Sequence, residues 1–307
     1  MKPQDSKKIP SRSSATQEEA SADESLEDLI ARLTQSSLPT EEEHVAPSPD
    51  ELKDIIANLE SDLVTGRWLN TYYENTDIRL MPSLVDKANS KYPEMNLKLA
   101  LTAEEFSYAL KEVVESDAKS ARFIVNSGSK IHFAVLDYQK VDDKISLIML
   151  EPTTFQNIAV CKLGIKINQT LQLPPYSFTT AEMNIQRSSS ECGMFSLSLA
   201  KKLHLESDKL ARLHKDNVKG VLCEPDTPLY AGKLDTYLPS TFYKHVQGRR
   251  RLGEYLKSNP NAEHEKVNKK GETLTERFEK NLREEEGKTV SVSQHKKRIT
   301  EYKSLTM

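Results

Sequence analysis

The sequence predicts an α+β domain, in which a mixed or antiparallel sheet is flanked by helices, followed by a mainly helical basic region. Three strand-like segments lie close together at 121–126, 131–138 and 145–151. Their linkers read as tight turns, so neighbouring strands should pair antiparallel. Segments with apolar residues at helical spacing lie on both sides of them. Beyond about residue 224, clusters of basic residues replace this apolar spacing.

Composition divides the chain into three predicted regions. Residues 1–47 are rich in Ser, Glu, Asp and Pro and predict a disordered export or targeting tail. Residues 48–224 should form a helical lead-in and a catalytic core, and 225–307 a basic C-terminal regulatory region. The tail contains one short amphipathic pattern, formed by Leu26, Leu29, Ile30 and Leu33. A chaperone-binding arm is therefore the alternative interpretation of the tail.

Charge and cysteine content exclude several classes of protein. The net charge of −3 favours neither nucleic acid nor membrane, so any electrostatic partner must be met by a local cluster. Three cysteines in 307 residues suit a reducing compartment without a disulfide framework. The first ten residues contain no apolar signal core, and no stretch approaches the length needed to span a bilayer.

The elements before the sheet are predicted from caps and spacing. Ser48 should cap a helix that has Pro49 at its first position, with Glu51 completing a capping box. A second helix is predicted to open at Pro82. A strand follows at 97–101, and a second capping box then starts another helix.

The later elements follow from the same signals. Pro152 cannot donate a sheet hydrogen bond, so the third strand should end at Glu151. We predict a helix over 157–171, a strand over 176–183, and a helix starting at Cys192. Further helices are predicted over 205–218 (capped by Ser207), 240–257, 273–283 and 293–305.

Cys192 is the central candidate for chemistry. A polar, hydroxyl-rich run at 186–191 leads to it, and helical apolar spacing begins directly afterwards. The unpaired N–H groups and the dipole of a first helical turn favour a thiolate there. Most lone cysteines are inert, so this stretch alone leaves a structural cysteine and a nucleophile equally open.

Three other residues favour the nucleophile. His132 is the one histidine of seven in a predicted core strand, where it is either a satisfied core residue or a base. Glu151, at a strand end, can accept a hydrogen bond from His Nδ1–H or be an ordinary solvent-facing carboxylate. The side-chain amide of Gln186 could help the Cys192 N–H to bind an oxyanion, or belong to an ordinary loop residue. Together, in this order, they suit thiol catalysis.

The nucleophile stretch 184–193 resembles that of the YopJ-family effector acetyltransferases, with Asn184 where the family has Asp. The resemblance runs from about residue 50 to the C-terminus and is closest to members from animal pathogens. It also rests on these stretches: Lys91 to Leu97, Ile131-His132-Phe133, Leu150-Glu151-Pro152, Phe242-Tyr243-Lys244-His245, Val267-Asn268-Lys269-Lys270, His295 to Ile299 and Tyr302-Lys303.

The resemblance implies a fold similar to the Ulp1-type cysteine proteases and a Cys192–His132–Glu151 triad. It implies acetyl transfer from acetyl-CoA, through a Cys192 thioester, to Ser or Thr (or Lys) of host kinases such as MAP kinase kinases. The implied setting is a virulence effector that a type III apparatus secretes into the host cytoplasm, where it suppresses immune signalling. Phe133 stands where Ulp1-type proteases usually have Trp.

The resemblance further implies activation by inositol hexakisphosphate, and binding of this anion is one explanation for the basic clusters. The alternative explanation is ordinary surface charge. We expect CoA to contact His132, Arg187 and Ser188. The residues expected to bind inositol hexakisphosphate are Lys201, Lys202, Lys269, Lys270, Arg277, Lys296, Lys297 and Lys303. Two alternative functions share the same residues: a deubiquitinase or deSUMOylase, and an inactive protein that sequesters kinases.

Overall fold

A five-stranded mixed sheet lies at the centre of the structure, in the order β1-β2-β3-β4-β5. The central strands β2, β3 and β4 pair antiparallel, whereas β1 and β5 pair parallel to their neighbours at the two edges. The strands are β1 Leu97–Ala100, β2 Ser120–Asn126, β3 Phe133–Val141, β4 Lys144–Glu151 and β5 Phe178–Glu182. The predicted α+β class and antiparallel centre are therefore confirmed.

This computed structural model describes residues 45–126, 131–155, 163–165, 167, 173–174, 176–224, 227–285 and 287–306. The tail through residue 44, the predicted turn at 127–130 and most of the predicted helix over 157–171 lie outside the described residues. The predicted turn before Lys144 is confirmed, with Asp142 and Asp143 at φ 48° and 62°. Aspartate tolerates this left-handed conformation better than most residues, which suits a two-residue hairpin turn.

Both faces of the sheet are buried, because helices cover each of them. Ile148 and Leu150 of β4 belong to one apolar cluster, and Leu147 and Met149 to the other. The larger cluster also includes Cys192. A continuous apolar run is what a strand with two covered faces requires.

Nine α-helices have bounds that lie within the described residues, and residues 163–165 and 167 are also helical. The nine helices are α1 Pro49–Thr65, α2 Glu74–Lys91, α3 Ala103–Glu115, α4 Cys192–Leu205, α5 Ala211–Val218, α6 Ala231–Leu234, α7 Arg249–Ser258, α8 Leu274–Asn281 and α9 Ser293–Ser304. A hairpin of β6 Leu282–Glu285 and β7 Lys288–Ser291 separates the last two helices.

Several predicted helix boundaries were wrong. Pro82 lies inside α2, eight residues after its start, instead of opening it. Ser207 starts a short 3₁₀ turn, so the predicted helix over 205–218 is divided before α5. The predicted helix over 240–257 is a 3₁₀ turn followed by α7, and the one over 273–283 gives way to β6 after Asn281.

The predicted cap of α1 is half right. Ser48 Oγ accepts from the N–H of Glu51 at 3.2 Å, as a cap should. The Glu51 carboxylate does not return to the cap. It binds the Arg79 guanidinium instead, with oxygen–nitrogen distances of 2.7 and 3.1 Å, because this charged partner from α2 lies within reach.

The last helix returns to the beginning of the described chain. His295 Nε2 lies 3.0 Å from the carbonyl oxygen of Leu59 in α1, and Lys303 pairs with Glu60 at 2.5 Å. Helix α9 also packs on α2 and α4. None of the helices in the described part of the chain is both long and apolar enough to cross a membrane.

Candidate active site

Cys192 is the first residue of α4, as predicted, and its side chain is buried. The next residue, Gly193, lies where a side chain has little room. A Cβ there would stand 3.1 Å from Asp77 Oδ2 and Met81 Cε, and 3.2 Å from Phe133. The absence of a side chain lets the start of α4 approach α2 and β3 closely, which brings Cys192 to the end of the sheet.

His132 and Glu151 meet at that same end. His132 directly precedes β3, and Glu151 is the last residue of β4. Because β3 and β4 run antiparallel, the start of one lies beside the end of the other. His132 Nε2 is 2.9 Å from Glu151 Oε2. The prediction that Glu151 would bind Nδ1 was wrong, and Nδ1 is the nitrogen left for Cys192.

The environment of His132 favours its charged form. Burial lowers its pKa, but hydrogen bonds to Cys192 and Glu151, and then the charges of these two groups, outweigh burial and raise the pKa to about 10. An imidazolium between a thiolate and a carboxylate is the arrangement that cysteine nucleophiles use.

Two residues that the sequence did not single out hold this pair in place. Glu151 Oε1 accepts from both Thr153 N–H at 2.8 Å and Thr153 Oγ1 at 2.5 Å, so Oε2 faces the histidine. Asn126 Oδ1 accepts from the backbone N–H of His132 at 3.0 Å. In the sequence, the signal for these two residues was that each lies at or near a strand end. Polar residues are common at such ends, so this signal did not single them out.

Gln186 lies in the loop before Cys192 and is buried. Its amide nitrogen donates to the carbonyl oxygen of Ser188 at 2.9 Å. One of its two N–H groups is therefore used within the loop. The oxyanion contact stays a prediction for the second N–H group of the Gln186 amide.

Two of the three residues expected to contact CoA, Arg187 and Ser188, lie in the same loop but differ in access. The Ser188 hydroxyl is buried, donates to Glu191 Oε2 at 2.7 Å, and also contacts Gln247. Arg187 is exposed, and its guanidinium bonds to the side chain and carbonyl oxygen of Asn184 and to the carbonyl of Gln186. Arg187 therefore faces solvent, whereas the Ser188 side chain is bonded within the protein interior.

A buried ionic network supports this loop from behind. Arg298 of α9 binds Asp77 of α2 through two hydrogen bonds of 3.0 and 2.9 Å, and it donates to the carbonyl oxygen of Ser190 at 2.5 Å. Tyr302 also donates to Asp77. Burial raises the pKa of Glu191, although the nearby Arg298 charge opposes this. These residues were missed, because sequence spacing does not show which charges are buried.

Four basic side chains from separate segments converge near His245: Lys202 of α4, Lys244, Arg277 of α8 and Lys297 of α9. Burial, followed by the charges of Arg277, Lys202 and Lys297, lowers the pKa of Lys244 to about 8. Burial and the same four cations hold the pKa of His245 well below its usual value. We call these four residues the basic cluster. Lys244 was not predicted.

The other predicted basic residues divide into two groups. Lys201 and Lys296 border the cluster, the former pairing with Glu301 at 2.8 Å and the latter bonding to Asn281. Three lie elsewhere: Lys303 pairs with Glu60 on α1, while Lys269 and Lys270 occupy an exposed turn.

A second Ser–His–Asp arrangement occurs in the sheet, but it is enclosed. Ser146 Oγ is 2.8 Å from His214 Nδ1, and His214 Nε2 is 2.9 Å from Asp137. The three residues are 0%, 2% and 0% exposed. Arg122 neutralises Asp137 at 3.0 Å, so this is a polar bridge between sheet and α5 that substrate does not reach.

The fold and the first arrangement define a class of protein. An α+β sheet presents a cysteine at a helix start, a histidine bound to it, and a glutamate that orients the histidine. This suits covalent acyl transfer through a thioester.

The chain belongs to the YopJ serine/threonine acetyltransferase family, whose sequence profile matches residues 52–304. It is 49% identical over 262 residues to the serine/threonine-protein acetyltransferase YopJ of Yersinia pestis, covering 84% of this chain and 91% of that protein. YopJ of Yersinia pseudotuberculosis matches to the same extent. The predicted family resemblance is confirmed.

Solved structures agree with this fold. AvrA with a leucine deletion, in complex with IP6 and CoA, superposes with a TM-score of 0.80 at 45% identity and covers 85% of this chain and 99% of its own. HopZ1a with IP6 and CoA superposes with a TM-score of 0.66 at 17% identity, over 83% of this chain and 98% of its own. The second likeness concerns the fold alone.

Proposed function

We propose that this chain transfers acetyl from acetyl-CoA, through a thioester on Cys192, to Ser or Thr hydroxyls of host signalling kinases, with MAP kinase kinases as the first targets to test. The observation that carries the proposal is the bonded Cys192–His132–Glu151 arrangement in a chain 49% identical to YopJ. Type III secretion and suppression of host immune signalling accompany it, as the family resemblance implies.

The first half-reaction forms the acetyl-enzyme. His132 already holds the proton of Cys192 as an imidazolium, and the resulting thiolate attacks the acetyl carbonyl of acetyl-CoA. When the tetrahedral species collapses, the bond to the CoA sulfur breaks and His132 returns the proton to that sulfur. The backbone N–H of Cys192 and the second N–H of Gln186 are the proposed donors to the oxyanion.

The second half-reaction delivers the acetyl group. A substrate hydroxyl gives its proton to His132 and attacks the thioester, and the Cys192 sulfur leaves as a thiolate beside the imidazolium. Glu151, held by Thr153, keeps the imidazole oriented through both halves. Acetylating a hydroxyl prevents its phosphorylation, because both modifications use the same oxygen.

Acetyl-CoA binding is proposed beside the loop that precedes Cys192. Arg187 is the residue there with an exposed charge for the CoA phosphates. Ser188 enters the proposal only by its place in this loop. Its hydroxyl is bonded to Glu191 and Gln247, its N–H donates to Gln247, and its carbonyl accepts from the Gln186 amide. AvrA, at 45% identity, was solved with CoA, which supports CoA binding by this chain.

Inositol hexakisphosphate is proposed to bind the basic cluster of Lys202, Lys244, Arg277 and Lys297, with Lys201 and Lys296 at its border. Six phosphates require several cations that converge from different segments, and this cluster provides them. AvrA, at 45% identity, was solved with IP6. Lys303, Lys269 and Lys270 belong to the proposal only as outlying residues.

Labelled acetyl-CoA, inositol hexakisphosphate and purified MAP kinase kinases test the proposal. Wild type should label itself and the kinase, whereas Cys192→Ala and His132→Ala should label neither. Cys223→Ala is the matched control, because Cys223 is a free, half-buried cysteine away from the arrangement, and it should label like wild type.

Other results would support the alternatives. Cleavage of a ubiquitin or SUMO fusion without kinase labelling would favour a protease, which uses the same thioester chemistry with water as acceptor. Neither labelling nor cleavage would favour a sequestering protein. Mass spectrometry of the labelled kinase then identifies Ser, Thr or Lys as the acceptor.

A further inference from the structure

We propose that Arg298 is a positioning residue that couples anion binding at the basic cluster to the loop before Cys192. This inference rests on the proposed activation by inositol hexakisphosphate. It assigns the coupling to one side chain of α9, which lies between the two sites.

One side of α9 belongs to the basic cluster. Lys297 is a member of the cluster, and Ser293 Oγ accepts from Arg277 Nη2 at 2.8 Å. The same hydroxyl lies 2.8 Å from Nδ1 of the half-buried His245. A polyanion held by the cluster therefore contacts α9 together with the segments that carry Lys202 and Lys244.

The next residue along α9, Arg298, reaches the catalytic loop. It is fully buried, and besides its pair with Asp77 it donates from Nη2 to the carbonyl oxygen of Ser190 at 2.5 Å. Its Nη1 lies 3.5 Å from Glu191 Oε1. In the described part of the protein, neither Nη1 nor Oε1 has a hydrogen-bond partner, so each of these buried atoms depends on the other's charge.

These contacts act on the two residues immediately before Cys192. Holding the Ser190 carbonyl fixes the peptide plane that leads into the first turn of α4. The next peptide along carries the Cys192 N–H, a proposed oxyanion donor. The guanidinium has several donors in a fixed fork, so it can hold Asp77 and Ser190 at once, whereas a lysine ammonium is a compact point charge.

Docking of α9 is opposed by like charges unless an anion is present. Lys297 and Lys201 share one carboxylate, Glu301. Among the described residues, Lys202 and Lys244 form no ion pair within 4 Å. A polyanion neutralises this repulsion and stabilises the docked helix, which keeps Arg298 at the catalytic loop.

Arg298→Lys in the full-length protein is the test. The readouts are affinity for inositol hexakisphosphate by calorimetry, and the rates of acetyl-enzyme formation and of Cys192 alkylation by iodoacetamide, each with and without the activator. We expect affinity within about threefold of wild type. We expect the stimulation of both rates to fall by about tenfold or more, within the usual range of coupling between sites.

Tyr302→Phe is the matched control, because it removes a bond to the same Asp77 but makes no described contact with Ser190 or Glu191. It should lower the melting temperature and keep the stimulation. Thr300→Ala, on the exposed side of α9, should behave like wild type in every readout.

Undiminished stimulation in Arg298→Lys would overturn the inference. An equal loss of stimulation in Tyr302→Phe would also overturn it, because Arg298 would then act only through the stability of the protein. If Arg298→Lys does not fold, Glu191→Gln takes its place, since it keeps Arg298 and Asp77 but removes the charge that faces Nη1. Full stimulation there would also count against the inference. Lack of activator binding or stimulation in wild type would instead remove the proposed activation itself.

Discussion

Glu151 is fully buried, and two donors of one neighbour determine which of its oxygens faces His132. Both donors of Thr153 bind Oε1, which leaves Oε2 for the imidazole at 2.9 Å. A buried carboxylate with both oxygens bonded has little freedom to rotate. Orientation of the histidine thus depends on a residue that never contacts it.

Thr153→Val tests this dependence. The hydroxyl bond is lost while the backbone N–H bond remains, so we expect a modest destabilisation of about 1 kcal/mol. The rate of acetyl-enzyme formation should fall by about three- to tenfold with KM for acetyl-CoA unchanged, because the loss affects orientation and not binding. Thr154→Val is the control. A change in KM alone would contradict the assigned role.

The pKa of His132 predicts how stability depends on pH. Its folded value of about 10 exceeds the ordinary 6.5, so the protonated form is favoured by folding. The stabilisation from this group is fully present below about pH 6.5 and is lost as pH rises towards 10. Urea unfolding of wild type and His132→Gln should show a stability difference that shrinks across this window. A difference that grows with pH would refute the proposed charge state.

At the scale of elements, the start of α4 depends on its close approach to α2 and β3. Asp77 is held by Arg298 and Tyr302, so it cannot yield to a new side chain at position 193. Gly193 is therefore a packing requirement of the helix that carries the nucleophile.

Gly193→Ala should destabilise the protein by about 1–3 kcal/mol and slow acetyl-enzyme formation, because overpacking displaces the first turn of α4. Gly253→Ala is the matched control. A Cβ there meets nothing within 4 Å in α7, so the change should stabilise by about 0.5–1 kcal/mol. Thermal unfolding and single-turnover labelling measure both effects. Equal behaviour of the two variants would show that close packing at Gly193 has no special role.

Helix α2 shows why local signals misplaced an element. Proline favours the first turn of a helix, so Pro82 predicted a start. In the structure α2 runs from Glu74 to Lys91 and contains Pro82 within it. Burial of Ile78, Leu80 and Leu84 around it offsets the lost backbone bond, and such tertiary packing is not visible in the residues next to a proline.

At the scale of the whole molecule, the basic cluster joins segments more than ninety residues apart in sequence, from Lys202 to Lys297. The lowered pKa of Lys244 shows the consequence of bringing them together. A lysine with a depressed folded pKa opposes folding most below about pH 8, and this penalty is relieved as pH rises towards 10.5.

Lys244→Met should therefore raise the stability of the activator-free protein, by on the order of 1 kcal/mol after solvent screening, while weakening inositol hexakisphosphate binding. Near pH 8.5 wild type should also take up protons on binding, since the anion favours the charged lysine. Calorimetry in Tris and Hepes, which differ in ionisation enthalpy, measures that uptake. Lys257→Met, an exposed lysine on α7, is the control. Equal proton uptake in both variants would contradict this account.

The amino-acid sequence was sufficient to identify the family, the α+β class, the antiparallel central strands and the four candidate residues for the proposed chemistry. These follow from local patterns: alternation and turns for the strands, a polar run before apolar helical spacing for Cys192, and long motifs for the family. His132 and Glu151 could be found because each lies next to a strand end that local residues define.

The atoms that meet could be identified from the three-dimensional structure alone. It brought Nε2 of His132 to Glu151, committed the Ser188 hydroxyl to the interior, and separated Lys303 from the basic cluster. It also revealed Arg298 behind the nucleophile loop. The physical reason is that burial, charge pairing and side-chain direction depend on segments far apart in the chain, which α9 joins when it packs against α1, α2 and α4.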